Sequence, residues 1–178
     1  MTASVLNPEN PDRRRPPANP PSYNRPIVTS RRRRLDQLCR EFDLLALYLF
    51  GSRADNGLAL LDGAAVDAAG SDLDVGVVFR TPQFVADGGW GVEPEIPLLR
   101  LGPLQVELAE VFAPLEVDLV PLQRVDALFA FAAVDGHRVA APDPVAADYY
   151  ELLVMRRAAE LLPIERRLEE EEFGVSTA

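Results

Sequence analysis

Seven consecutive residues without a charge, Leu44-Leu45-Ala46-Leu47-Tyr48-Leu49-Phe50, stop abruptly at Gly51-Ser52. So apolar a run has to be buried, and seven residues are too few for a buried helix, so the segment reads as an interior strand opening into a tight turn. It also falls far short of the roughly 20 apolar residues that a bilayer span requires. Whatever else the chain does, it must assemble enough partners around this strand to hide it from water.

Those partners are legible on either side. Ser30 is expected as an N-cap, and Leu35, Leu38, Cys39 and Phe42 recur at helical spacing behind the run Arg31 to Arg34. Residues 55–70 read as a turn of helix followed by a surface loop, and 73–79 as a second strand. The stretch 81–97 holds so many prolines and glycines that it has to be a loop, with Trp90 packed on the body. A helix follows over 98–112, its start blurred by Gly102 and Pro103. Residues 115–121 alternate charged and apolar side chains as a half-exposed strand should. A helix over 126–134 ends near Gly136, residues 138–140 form a minor strand, and 145–172 is helical. In that last helix Tyr149, Leu152, Leu153 and Arg156 mark one face, one of Tyr149 and Tyr150 belongs to the core, and Pro163 kinks or divides it. The expected fold is α/β, a small mixed sheet flanked by helices.

Charge is distributed unevenly. Nine of the eighteen Arg lie in the first forty residues beside three acids, and the remainder carries nine Arg against twenty-five acids, a net charge near −16. A body that negative repels a nucleic-acid backbone and needs a cation to dock a nucleotide. Residues 1–29, dense in Pro, Asn and Arg, bury too little to offset the entropy of ordering and read as a disordered, solvated arm. The domain then spans 30–172, with a tail over 173–178. Cys39 is the single cysteine, which excludes an intrachain disulfide framework and a cysteine-based zinc site. With neither an export signal nor a membrane span, the expected compartment is the cytoplasm.

Three weak features become informative in combination: Gly51-Ser52 after a buried strand, Asp72-Leu73-Asp74 at the start of a second, and Asp118 inside a third. Residues i and i+2 of a strand share a face, so Asp72 and Asp74 present two carboxylates together, and their repulsion asks for a cation. Asp118 on a neighbouring strand can complete an oxygen set suited to Mg²⁺, the usual equipment for nucleotidyl or phosphoryl displacement. Gly51 lets backbone approach a phosphate, and the Ser52 hydroxyl can donate to it. Arg53 either adds charge there or points into solvent. His137 follows a turn glycine far in sequence from the carboxylates and receives no catalytic role.

With Leu49-Phe50-Gly51-Ser52-Arg53-Ala54, Ser71-Asp72-Leu73-Asp74-Val75 and Val117-Asp118-Leu119-Val120, the chain resembles the DNA polymerase β-type nucleotidyltransferase superfamily in its minimal form, over roughly residues 31–160. Within it, the chain is similar to the MntA group, antitoxin partners of HEPN-domain ribonuclease toxins. The resemblance implies a protein adenylyltransferase that uses ATP and Mg²⁺ to place AMP on a tyrosine of a cognate toxin. Asp72, Asp74 and Asp118 would be catalytic and bind metal, Asp118 helping to deprotonate the incoming hydroxyl. Gly51, Ser52 and Arg53 would bind nucleotide. The competing readings are a small-molecule, aminoglycoside-type nucleotidyltransferase, an antitoxin acting by binding alone, and transfer to RNA ends, which the acidic body disfavours. One departure stands out: nineteen residues separate Ser52 from Asp72, more than the family's usual spacing. The added text, over about 58–69, is expected to loop out without moving either strand.

Overall fold

The structure, a computed structural model, describes residues 29–80 and 97–173. The expected arm, the loop bearing Trp90 and the tail after residue 173 lie outside these residues, save for Thr29. Thr29 replaces Ser30 as cap of the first helix, α1 (Ser30–Glu41). Its hydroxyl accepts from Arg32 N at 3.2 Å and donates to Leu61 O at 2.6 Å, tying the start of α1 to the end of α2 (Ala54–Leu61). Ser30 is the first helical residue instead.

Four strands form one mixed sheet in the order β3-β2-β1-β4. The uncharged run is β1 (Leu44–Phe50), buried at every position and central in the sheet. It pairs antiparallel with β2 (Leu73–Phe79) on one side and with β4 (His137–Ala140) on the other. β2 pairs parallel with β3 (Val117–Pro121), the half-exposed edge whose alternation was visible in sequence. β3 is two residues shorter at its start than the pattern predicts.

Both faces of β1 are covered, which accounts for its lack of charge. Leu44, Leu47 and Leu49 pack with α1, with Leu60 and Leu61 of α2, and with Leu104, Leu108 and Phe112 of α3 (Leu98–Phe112). Ala46, Tyr48 and Phe50 face α4 (Ala127–Val134), capped by Asp126, and α5 (Pro144–Phe173). Pro103 lies within α3, so the punctuation at its start does not prevent the helix. Gly57 sits where α2 crosses the sheet. A Cβ there would lie 2.9 Å from Leu49 Cδ1 and 3.0 Å from both Leu73 methyls, so the glycine sets how closely α2 approaches.

α5 corrects one expectation. It runs unbroken through Pro163, because one proline removes a single backbone donor and the Glu-, Arg- and Leu-rich text around it continues the helix. Its buried positions are Ala147, Tyr150, Val154 and Ala158, while Tyr149 and Leu152 are exposed. The core stripe follows the helical spacing from Ala147 through Tyr150 and Val154 to Ala158, so Tyr150 is the core member of the tyrosine pair. Residues 58–61 also belong to α2, with Leu60 and Leu61 buried, so the looped-out text starts at Asp62 rather than at 58. Among the described residues no helix is long and apolar enough to cross a membrane.

Candidate active site

The sheet register draws three of the candidate elements together at one end. Asp74 pairs with Phe50 on one side and with Asp118 on the other, so the last residue of β1 and the second residues of β2 and β3 form a row. Paired residues share a face, and Asp74 and Asp118 therefore project on the same side. Asp72 lies immediately before β2 and is exposed, as is Asp118, whereas Asp74 is half-buried between them.

Gly51 turns the chain out of β1 with φ +72°, a left-handed conformation that costs any other L-residue. A Cβ on Gly51 would overlap Oδ2 of Asp74. The glycine is thus demanded twice, by its own backbone and by the carboxylate seated against it. The Asp74 carboxyl is held above the ordinary carboxylate value by burial first, then by the negative charges of Asp118 and Asp72. The raised Asp74 carboxyl marks a site short of positive charge. Among the described residues no basic side chain contacts the three carboxylates, and no three Asp, Glu, His or Cys side chains lie together as a group that could by itself hold a metal ion. The paired carboxylates of Asp74 and Asp118 present oxygens only, the donor type that a hard cation such as Mg²⁺ takes alongside waters and phosphate oxygens.

Residues 51–53 form a single 3₁₀ turn leading directly into α2. Ser52 is exposed, and its hydroxyl lies 2.9 Å from the hydroxyl of Ser71, a residue not singled out from the sequence although it directly precedes Asp72. The contact joins the Gly-Ser turn to the start of the Asp-x-Asp segment. Arg53 takes neither of the positions expected for it: it is buried, with its guanidinium donating to the carbonyls of Ala69 and Asp67 in the loop between α2 and β2. His137 reaches the same end of the sheet through β4, but it pairs with Leu49 and so projects to the opposite face from Asp74. There its Nε2 lies 2.8 Å from Asp55 Oδ1 in the first turn of α2.

No protein-family model matches the chain. Over 89 residues it is 39% identical to alanine–tRNA ligase of Frankia casuarinae, a match that takes in 46% of this chain and 10% of the ligase. The chain thus spans about a tenth of that relative's length. Among solved structures, it is similar to a chain of the complex of tri-AMPylated Shewanella oneidensis HEPN toxin with MNT antitoxin. The TM-score is 0.51 at 17% identity, covering 82% of this chain and 97% of that one. A toxin–antitoxin complex with AMP-PNP gives a TM-score of 0.46 at 19% identity, over 80% of this chain and 93% of the other. The fold is the nucleotidyltransferase fold of the MNT antitoxins.

Proposed function

We propose that the chain is an antitoxin of the nucleotidyltransferase type, transferring AMP from ATP to a tyrosine hydroxyl of a HEPN-domain toxin with the help of Mg²⁺. The observation that carries the reading is the row Asp74–Asp118 with Asp72 beside it, set against a glycine that admits no side chain. The fold is shared with a complex whose toxin is tri-AMPylated, which supports protein as the acceptor class.

Asp72, Asp74 and Asp118 would hold the metal, and an ion so placed neutralises charge developing on a transferred phosphoryl group. Gly51 keeps the turn open beside Asp74, and the Ser52 hydroxyl, exposed at the head of α2, donates to phosphate oxygen. Asp118, exposed at the sheet edge, accepts the proton of an incoming hydroxyl. The excess of acids over Arg in the body means that a nucleotide docks through the metal rather than through surface charge.

Calorimetric titration of the chain with ATP and Mg²⁺, alongside Asp72→Ala/Asp74→Ala, tests the site. Metal-dependent binding lost in the double variant supports the reading, and binding indifferent to the substitutions contradicts it. The exposed apolar side chains of α5, among them Leu152, Met155, Ile164 and Leu168, favour one second reading, neutralisation of a partner by binding alone.

A further inference from the structure

Arg53 is the one buried charged side chain among the described residues, 8% exposed. A guanidinium cannot shed its charge, so burying it is costly unless its donors are met. Here Nη1 donates to Ala69 O at 2.5 Å and Nη2 to Asp67 O, while Nε is buried without a partner. The loop that supplies these carbonyls is exposed over nearly its whole length. It closes on itself through Ala69 N donating to Asp67 Oδ1 at 3.0 Å. Gly70, at φ +127°, passes so close that a Cβ would lie 2.6 Å from Arg53 Nη1. Next in the chain come Ser71, against Ser52, and then Asp72. The return leg of the loop is therefore wrapped around the guanidinium immediately before it enters the candidate site.

We infer that Arg53 is a positioning residue: by gripping the carbonyls of residues 67 and 69 it fixes the return leg of the 62–72 loop, and so holds Ser71 and Asp72 in register with Ser52 and the carboxylate row. The inference rests on the nucleotide reading proposed above, and it assigns Arg53 to the loop rather than to phosphate. The extra length between the Gly-Ser turn and the Asp-x-Asp pair makes such a device necessary. Leu73 N donating to Glu116 O at 2.8 Å anchors the chain just after Asp72, but among the exposed residues before it only contacts such as the Arg53 grip fix the path. A bidentate fork suits the task because it reaches two carbonyls at once. A lysine at the same place offers a single head.

The test measures affinity for a non-hydrolysable ATP analogue with Mg²⁺, together with amide hydrogen exchange of the 62–72 loop, in the full chain. The variants are Arg53→Ala, Arg53→Lys, Gly70→Ala and Arg53→Ala/Gly70→Ala. Gly70→Ala reaches the grip from the loop side and touches no phosphate. The expected result is a loss of affinity of about tenfold or more in both Arg53 variants and in Gly70→Ala, with faster exchange in the loop. Because both positions serve one contact, the double variant is no weaker than its worse parent. Unchanged affinity and exchange in Arg53→Ala overturns the inference. Losses that multiply in the double variant overturn it too, since they make Arg53 a direct phosphate ligand. If the unsubstituted chain binds no nucleotide, the functional reading fails by itself, and loop exchange alone decides: faster in Arg53→Ala upholds the grip, unchanged refutes it.

Discussion

Replacing Gly51 with alanine should cost little stability and most of the site. The residue holds φ +72°, and left-handed backbone costs an alanine roughly 1–2 kcal/mol. The overlap with Asp74 adds less, because Oδ2 is the end of a side chain; Asp74 Cγ and Cβ lie 3.1 and 3.6 Å from the added methyl, so rotation of the carboxylate relieves the contact. That rotation is the damage, since it takes Asp74 out of the row with Asp118. Gly63 supplies an internal control. It holds φ +91°, and a Cβ there meets only Thr29 Cγ2 at 4.0 Å, so Gly63→Ala carries the backbone strain without touching the carboxylates. Urea unfolding should therefore place both variants about 1–2 kcal/mol below the parent. Titration with a Mg²⁺–ATP analogue should show the Gly63 variant binding like the parent and the Gly51 variant weakened by about tenfold or more. Equal binding by the two variants would refute the argument that Gly51 exists to seat Asp74.

Three further outcomes follow from other residues. The Asp74 carboxyl is raised above its unfolded value by burial and by Asp118 and Asp72, so the folded chain retains a proton that the unfolded chain has already lost. The associated stability is complete below the unfolded value and lost as pH rises through the folded one. Asp74→Asn should thus raise the Tm of the metal-free chain at neutral pH, with the gain vanishing on acidification below the ordinary carboxylate range; a gain constant across pH would contradict the cause. Gly57→Ala forces a methyl between α2, Leu49 and Leu73 and should cost about 1–3 kcal/mol in urea unfolding, with a neutral result showing the contact is soft. Cys39 is 1% exposed and burial pushes its thiol up to about 12, so a thiol reagent should modify it only at the rate of unfolding.

The sequence exposes what periodicity and residue chemistry encode locally. β1 and the 75–79 part of β2 are visible because a sheet covered on both faces forces uninterrupted apolar text, whereas the expectation that Asp72 and Asp74 share a strand face reaches one residue too far, since β2 starts at Leu73. Long-range geometry is less accessible. Nothing local distinguishes Arg53 in solvent from Arg53 beneath a loop, since the carbonyls that receive it are fourteen and sixteen residues away in sequence. His137 looks remote from Asp55 until β4 joins the sheet beside β1. On α5 the covered stripe is Ala147, Tyr150, Val154 and Ala158, beside the face marked by Tyr149, Leu152, Leu153 and Arg156, and which of two neighbouring stripes is covered is decided by where the sheet and α4 lie. Thr29 and Ser30 are both good cap residues side by side in sequence, and the bond from Thr29 to Leu61, which exists only once α2 is in place, favours Thr29.

The central claim is transfer of AMP to a protein hydroxyl, and intact-mass spectrometry tests it most directly. The chain is co-expressed with a HEPN-domain toxin, supplied with ATP and Mg²⁺, and compared with Asp72→Ala/Asp74→Ala. The account predicts a toxin heavier by whole AMP units, the increment residing on tyrosine and absent with the double variant. A tight complex in which the toxin mass never changes would contradict it and leave neutralisation by binding alone.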